Sequence, residues 1–535
     1  MREDFRSMKT FVTAATAAGL SLLGLVPAVA QTKAPLTILR VIDADRYDPV
    51  RSTATSASEV VFMLADTLVS LDFDMKTVKP LLAKSWTESQ DGKTYTFDLR
   101  QDVKFCDGRP MTAEDVVYSL KRWIDPATRS PVANRAGKVK DIRATDDHTV
   151  VYELQEPFSD LLYQLTQSFG SIVDKAAVET LGQNFGVQGF NATGPYCWVS
   201  WTPRQDLVLK KNPHYTWGPP IYRNPKPEID QIVWKVVPEA NTLMAAMQAR
   251  QADITYYPPL FSIDTMQRVP GLKVQQQKNY IYDVFFAFRV NKPVSSDPAI
   301  RRAAGMAVNR DAIAKAVYFG HGTPLHSLLS PTVLDYDAKA AAMMPPLDPA
   351  GAAKVLDEAG WAPGPDGIRV KDGQKASVLV YGIRDDQNPR IAEAMQGDLR
   401  KVGIDMRIQL WDATVAWGKL ATQEFDAFML SYPYGTATEA LSLYFKSTQA
   451  PTPNRMNWKD ETTDRLIDAA ATAVDPAKRT QATAEVQRLL TAANVWIPLV
   501  TRQLWVVSGD RVEGVRPHGL YGAGLYKGLD LSLKR

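Results

Sequence analysis

Apolar and polar positions alternate with two different periods along this chain, and the periods predict its elements. Val60, Val61, Leu64 and Leu68 fall on one face at helical spacing and predict a helix over Ser58–Leu71. Short runs rich in branched and aromatic residues predict strands at Leu36–Val41, Thr94–Leu99, Val103–Phe105, Val150–Leu154, Val208–Lys210, Gln231–Val237 and Asp253–Tyr256. Asp91-Gly92 turns the chain into the second of these, and Thr94–Leu99 reads as a hairpin with Val103–Phe105. A helix is predicted from Glu239 to about Arg250. In Asn279–Phe288, alternation puts Tyr280, Tyr282, Val284 and Phe286 on one side. Helix and strand alternate again from Ala299 to Leu430, including a strand over Ala376–Tyr381 and a helix over Arg390–Val402. Such alternation predicts mixed α/β domains built on central sheets. The Pro- and Gly-rich stretches Gly218–Pro227 and Pro345–Gly351 read as surface connections.

A length of 535 residues accommodates two or three domains. With 45% hydrophobic and 23% charged residues, the composition is that of a soluble globular protein. A net charge of +3 spread over this length argues against a nucleic-acid footprint, and no helix-turn-helix, zinc-finger or P-loop spacing occurs. The five histidines include one close pair, His321 and His326, whose five-residue gap suits no zinc helix motif. Nucleophile-elbow and dinucleotide glycine patterns are also missing, so the sequence predicts no enzyme, no cofactor and no resident metal. At the N-terminus, Arg2, Arg6 and Lys9 precede the short apolar run Phe11–Val26 and the small-residue site Ala28-Val29-Ala30. This predicts an export signal over residues 1–30, cleaved after Ala30, and a periplasmic destination. The two cysteines, Cys106 and Cys197, are compatible with either a disulfide or two buried thiols.

Val103–Arg122 reads as strand, Asp107-Gly108 turn, Thr112 cap and helix, with Glu114 and Asp115 at the positive end of the helix dipole. This phrase resembles the signature of the family 5 solute-binding proteins, the peptide- and nickel-type receptors of bacterial ABC importers. Further phrases resemble that family in the same order: Ala192–Trp201 (ATGPYCWVSW), Leu209–Trp217 (LKKNPHYTW), Phe286–Asn291 (FAFRVN), Asp297–Ile313, Phe319–Pro324 (FGHGTP) and Ala392–Gly403.

The resemblance implies a type II periplasmic-binding-protein fold, with two lobes around a hinge and cleft and an extra domain on the first lobe. By analogy, residues 31–75, 190–277 and 495–535 form the first lobe, with the Trp496–Val500 strand and Trp505–Val507 completing it. Residues 76–189 form the extra domain, and 278–494 the second lobe. It further implies a monomer that hands a peptide-like or other small organic solute to inner-membrane permease subunits and their ATPases. The alternatives are a secreted hydrolase, or a chaperone or chemosensory adaptor on the same scaffold.

Ligand contacts follow by analogy. Arg384, with Asp385 beside it, is the expected carboxylate anchor, since a guanidinium pairs bidentately with such a group. Tyr432 stands where dipeptide receptors carry a Trp, with Tyr434 as a second stacking surface, and Gly435 takes the place of the ammonium-binding Asp that follows in those receptors. The expectation is a ligand without a free α-amino group, stacked on these tyrosines. Tyr282 and Phe286 are expected to floor the cleft, and Trp411, which flanks the next element, is a further expected ligand contact. A contact from His321 or His326 to a chelated metal is a further option.

Overall fold

The computed structural model describes residues 34–277 and 279–534, so the expected export signal lies outside the described residues. Three sheets organise the rest. The first has seven strands in the order Leu272–Gln277, Leu504–Gly509, Ile254–Tyr256, Leu36–Arg40, Gln231–Val236, Asp206–Lys211 and Tyr196–Thr202. Leu36–Arg40 runs parallel to both of its neighbours. The second has six strands in the order Thr323–Pro324, Trp496–Thr501, Asp283–Phe288, Ala427–Tyr432, Ser377–Ile383 and Asp405–Trp411. A four-stranded antiparallel sheet of Ala83–Glu88, Thr94–Leu99, Thr149–Leu154 and Val139–Asp146 stands apart from both.

Among the described residues the chain crosses between the two large sheets twice, once between Gln277 and Asp283 and once between Thr501 and Leu504. Two short crossings between packed lobes make a hinge. Each lobe has its own core. Leu36, Ile38, Val60, Val61 and Trp234 pack on the seven-stranded sheet. Val284, Phe286, Ile300, Val380 and Met429 cover one face of the six-stranded sheet, and Phe285, Phe428, Tyr444 and Trp496 the other. Each such side chain, fully buried, contributes about 1.5–3 kcal/mol relative to exposure.

Most expected elements appear within a few residues of their predicted bounds, and three corrections have physical causes. The first helix spans Thr55–Leu64 and does not reach Leu71; Val69–Leu71 is instead a strand paired with Val78–Pro80. The helix stops where Leu64 O accepts the Gly194 N–H at 2.9 Å. A Cβ on Gly194 would fall 2.3 Å from the Leu64 carbonyl carbon, so this approach requires glycine. Second, Val103–Phe105 does not pair with Thr94–Leu99, whose two sides are taken by Ala83–Glu88 and Thr149–Leu154. The segment folds back on itself, with Phe105 N–H donating to Arg109 O and Met111 N–H to Val103 O. Third, Trp496–Thr501 pairs with Asp283–Phe288 in the second lobe's sheet, not with the first lobe, and only Leu504–Gly509 returns to the first. The capping of Ala113–Ile124 is as expected from Thr112: Asp115 Oδ2 accepts the Thr112 N–H at 2.9 Å.

The C-terminal segment is held by buried polar contacts. His518 donates from Nε2 to Leu71 O at 3.0 Å, while Nδ1 accepts the Leu520 N–H at 3.1 Å, a pairing that requires the neutral ring. Burial depresses its pKa to about 4. Unfolded, the imidazole binds a proton near pH 6.5, so its contribution is intact above that pH and is lost as pH falls toward 4. Relative to His518→Gln, the native protein is expected to lose about 3 kcal/mol between pH 6.5 and 4, measured by urea unfolding at stepped pH.

Candidate functional site

Both crossings between the lobes open onto one cavity of about 600 Å³. Tyr280 and Tyr282 come from the first crossing and Arg502 and Gln503 from the second. The first lobe adds Arg40, Glu59, Tyr256, Tyr257 and Trp505, and the C-terminal segment adds Tyr521. The second lobe adds Tyr318, His321 and the Asp385–Gln387 turn. A wall built from both lobes and their hinge is the geometry in which a bound solute stabilises the closed arrangement.

Arg502 is the central cation. Its Nη2 donates to Asp385 Oδ2 at 2.7 Å, its guanidinium lies 5.3 Å from the Tyr282 ring centre, and its Nε has no partner among the described residues. Burial alone would lower its pKa, but the Tyr318 oxygen and the Asp385 carboxylate outweigh that and hold the charge. Asp385 also accepts the N–H groups of Gln387 and Asn388, which fixes the turn before the Asn388–Lys401 helix. Tyr282 stacks on Tyr521, with ring centres 5.5 Å apart and planes at 16°. His321 Nε2 lies 3.0 Å from Asp264 Oδ1 but is not aligned for a hydrogen bond; His326 pairs with Asp311 at 3.5 Å.

Of the residues expected at the site, Asp385 and Tyr282 line this cavity. The other five lie elsewhere. Arg384 is exposed and turns to Leu410 O at 3.4 Å. Phe286 is fully buried in the second lobe's core. Trp411 packs edge-on to Tyr381, and Tyr434 is buried, its hydroxyl donating to Asp283 and accepting from Ser330 N–H. Tyr432 belongs to a different contact, where Arg135 Nη2 donates to its hydroxyl at 2.6 Å and Arg135 Nη1 pairs with Glu439 at 2.9 Å. Glu439 also accepts the Gly435 N–H at 2.9 Å. Glu439, the carboxylate that holds the Gly435 N–H, is therefore already paired with the chain's own Arg135 guanidinium. This contact, with Thr436 donating to Asp160 at 2.8 Å and Ser159 N–H to Ala471 O at 2.8 Å, joins the four-stranded region to the second lobe.

Sequence reasoning did not single out Arg502, Arg40, Glu59, Tyr256, Tyr257, Tyr318 or Tyr521, all of which line this cavity. The usable signal was the position of Arg502 and Gln503, polar residues between two apolar strands that prove to lie in different sheets.

The family model for "Bacterial extracellular solute-binding proteins, family 5 Middle" matches residues 77–452. The chain belongs to this family. Among its relatives is the glutathione-binding protein GsiB of Salmonella typhi, 28% identical over 519 residues and covering 95% of this chain and 97% of that one. Protein XP55 of Streptomyces lividans is 28% identical over 481 residues, or 88% of this chain and 84% of that protein. Among solved structures, NikA from Brucella suis in complex with Fe(III)-EDTA superposes with a TM-score of 0.81 at 24% identity, covering 93% of this chain and 99% of that one. DppA from Helicobacter pylori in complex with peptide STSA gives 0.76 at 23% identity, covering 94% and 98%. These neighbours establish the two-lobed periplasmic-binding-protein architecture.

Proposed function

We propose that this family 5 protein is the periplasmic receptor of an ABC importer, and that its hinge cavity captures a peptide-sized solute and delivers it unaltered to a membrane permease. The observation that carries this reading is the cavity wall itself, drawn from both lobes and both crossings around Arg502. Its volume suits a small organic molecule, and its mixture of aromatic rings with few charged groups suits orientation of a polar solute. Glutathione binding by a relative and peptide binding by a structural neighbour support the choice of solute class. By the same reading, residues 1–30 direct export, and 76–189 form a domain attached to the first lobe.

A thermal-shift screen with dipeptides, glutathione, opines, oligosaccharides and chelated nickel tests the reading, because a ligand that binds only the folded form stabilises it by RT ln(1 + [L]/Kd). For a carboxylate-bearing hit, Arg502→Gln is expected to cost about 1.5 kcal/mol or more, roughly tenfold in Kd, as for a charged hydrogen bond. Arg384→Ala is expected to leave Kd within about threefold, since the side chain is exposed and outside the cavity, where a substitution costs little. The reverse ranking, read by calorimetry, would return the anchor to Arg384.

A further inference from the structure

Glu59 projects from the Thr55–Leu64 helix into the cavity wall and is only 4% exposed. Burial and the Arg40 charge are the influences on its carboxyl, with no hydrogen bond to it among the described residues. Aromatic rings surround that corner. The Tyr257 and Tyr280 hydroxyls meet at 3.3 Å, the Tyr280 and Tyr282 rings lie 6.5 Å apart, and Tyr521 stacks on Tyr282. An unpaired buried acid costs free energy unless something neutralises it, and tyrosine faces attract cations through their quadrupoles. We infer that this corner seats a cationic nitrogen, so that the solute carries a protonated or alkylated amine on Glu59 and a carboxylate near Arg502. The inference rests on the cavity being the solute site. It replaces the expectation, drawn from Gly435 alone, of a solute lacking a free amine; the ammonium partner stands on the first lobe instead.

The charged and titratable groups facing Glu59 are Arg40, at the end of Leu36–Arg40, and Tyr256, Tyr257, Tyr280 and Tyr521. Arg40 spends both Nη groups on Ser56 O, Asp43 and Tyr47. Burial raises the Glu59 pKa to about 8, although Arg40 opposes the rise. At pH 7 the carboxyl therefore holds a proton, and a cationic ligand group favours its release.

The test is calorimetric titration with glutathione and trialanine against their N-acetylated forms, on native protein and Glu59→Gln. The variant keeps the size and hydrogen-bonding capacity of the protonated acid. On native protein the free-amine probes are expected to bind at least about tenfold tighter, with affinity rising from pH 6 to 7.5. At pH 7, buffers of different ionisation enthalpy should report release of close to one proton. Glu59→Gln is expected to lose the proton release and to bind the free-amine and acetylated probes with equal affinity. Equal binding of acetylated and free-amine probes to native protein, or a preference that survives in Glu59→Gln, would overturn the inference and leave the receptor reading standing. Failure of all four probes to bind would instead overturn the peptide reading, and this inference with it.

Discussion

Asp66→Ala is expected to destabilise the protein by about 3–5 kcal/mol, the range for stripping one partner from a buried ion pair. Asp66 and Lys527 are both fully buried, with Nζ 2.7 Å from Oδ1. The pair is completed by hydrogen bonds: Trp217 Nε1 donates to Asp66 at 2.9 Å, Tyr215 O–H at 3.3 Å, and Lys527 Nζ donates to Ala65 O at 2.5 Å. Alanine at 66 leaves an ammonium with a single carbonyl in a dry interior, and burial already pushes the Lys527 pKa down against the pull of Asp66. The double change Asp66→Leu with Lys527→Met removes both charges and is expected to recover most of the loss, since apolar replacements of buried pairs are often neutral or better. Urea unfolding of the native protein, Asp66→Ala and the double variant makes the comparison. Double-variant stability no better than Asp66→Ala would show that the hydrogen bonds, and not the uncompensated charge, dominate. The pair joins the end of the helix that carries Glu59 to the segment that carries Tyr521, so the single variant is expected to weaken solute capture even where it remains folded.

How much of this was legible in the sequence depends on whether a segment is half-buried or wholly buried. Thr94–Leu99 buries every second residue, so its alternation is visible and its strand falls where expected. Asp283–Phe288 is buried throughout, with Phe286 in the core on one face and Phe285 against Trp496 on the other. A period of two cannot say which face of such a strand meets a cleft, and Phe286 turned out to be core while Tyr282, one residue before the strand, reached the cavity. Trp496–Thr501 is buried throughout in the same way, so its local pattern suits either sheet, and long-range pairing decides. Arg502 owes its role to Asp385, 117 positions earlier, a partnership no local pattern encodes. Family phrases carried more: Gly194 of ATGPY marks the point where backbone presses against the first helix and leaves no room for a side chain.

Replacing Cys106 and Cys197 by serine is expected to cost about 4–5 kcal/mol, the chain-entropy value for a loop of about 90 residues. The structure joins the two in a disulfide spanning 91 positions, with Cα atoms 5.7 Å apart. Cys106 sits in the turn of the Val103–Met111 segment, and Cys197 in the edge strand Tyr196–Thr202 of the seven-stranded sheet. Two weaker ties run alongside: Cys106 N–H donates to Ala192 O at 3.1 Å, and Asn191 Nδ2 to Asp107 at 3.0 Å. The closed loop contains the Ala113–Ile124 helix and two of the four strands, together with Arg135, Ser159 and Asp160, which touch the second lobe. Cutting it therefore removes the covalent tie at the place where the region's contacts across the cleft begin, and leaves the core it shares with Phe62, Leu68 and Tyr526 to hold it. The bridged protein is expected to resist limited proteolysis within residues 107–196 and the serine variant to be cleaved there first, with urea unfolding giving the free-energy difference. A loss under about 1 kcal/mol would mean that the buried face of the Ala113–Ile124 helix and the capping box at Thr112, rather than the covalent tie, hold this region in place. The predicted export of the chain to an oxidising compartment gives the tie its biological setting, since a bridge of this kind persists where thiols are not kept reduced.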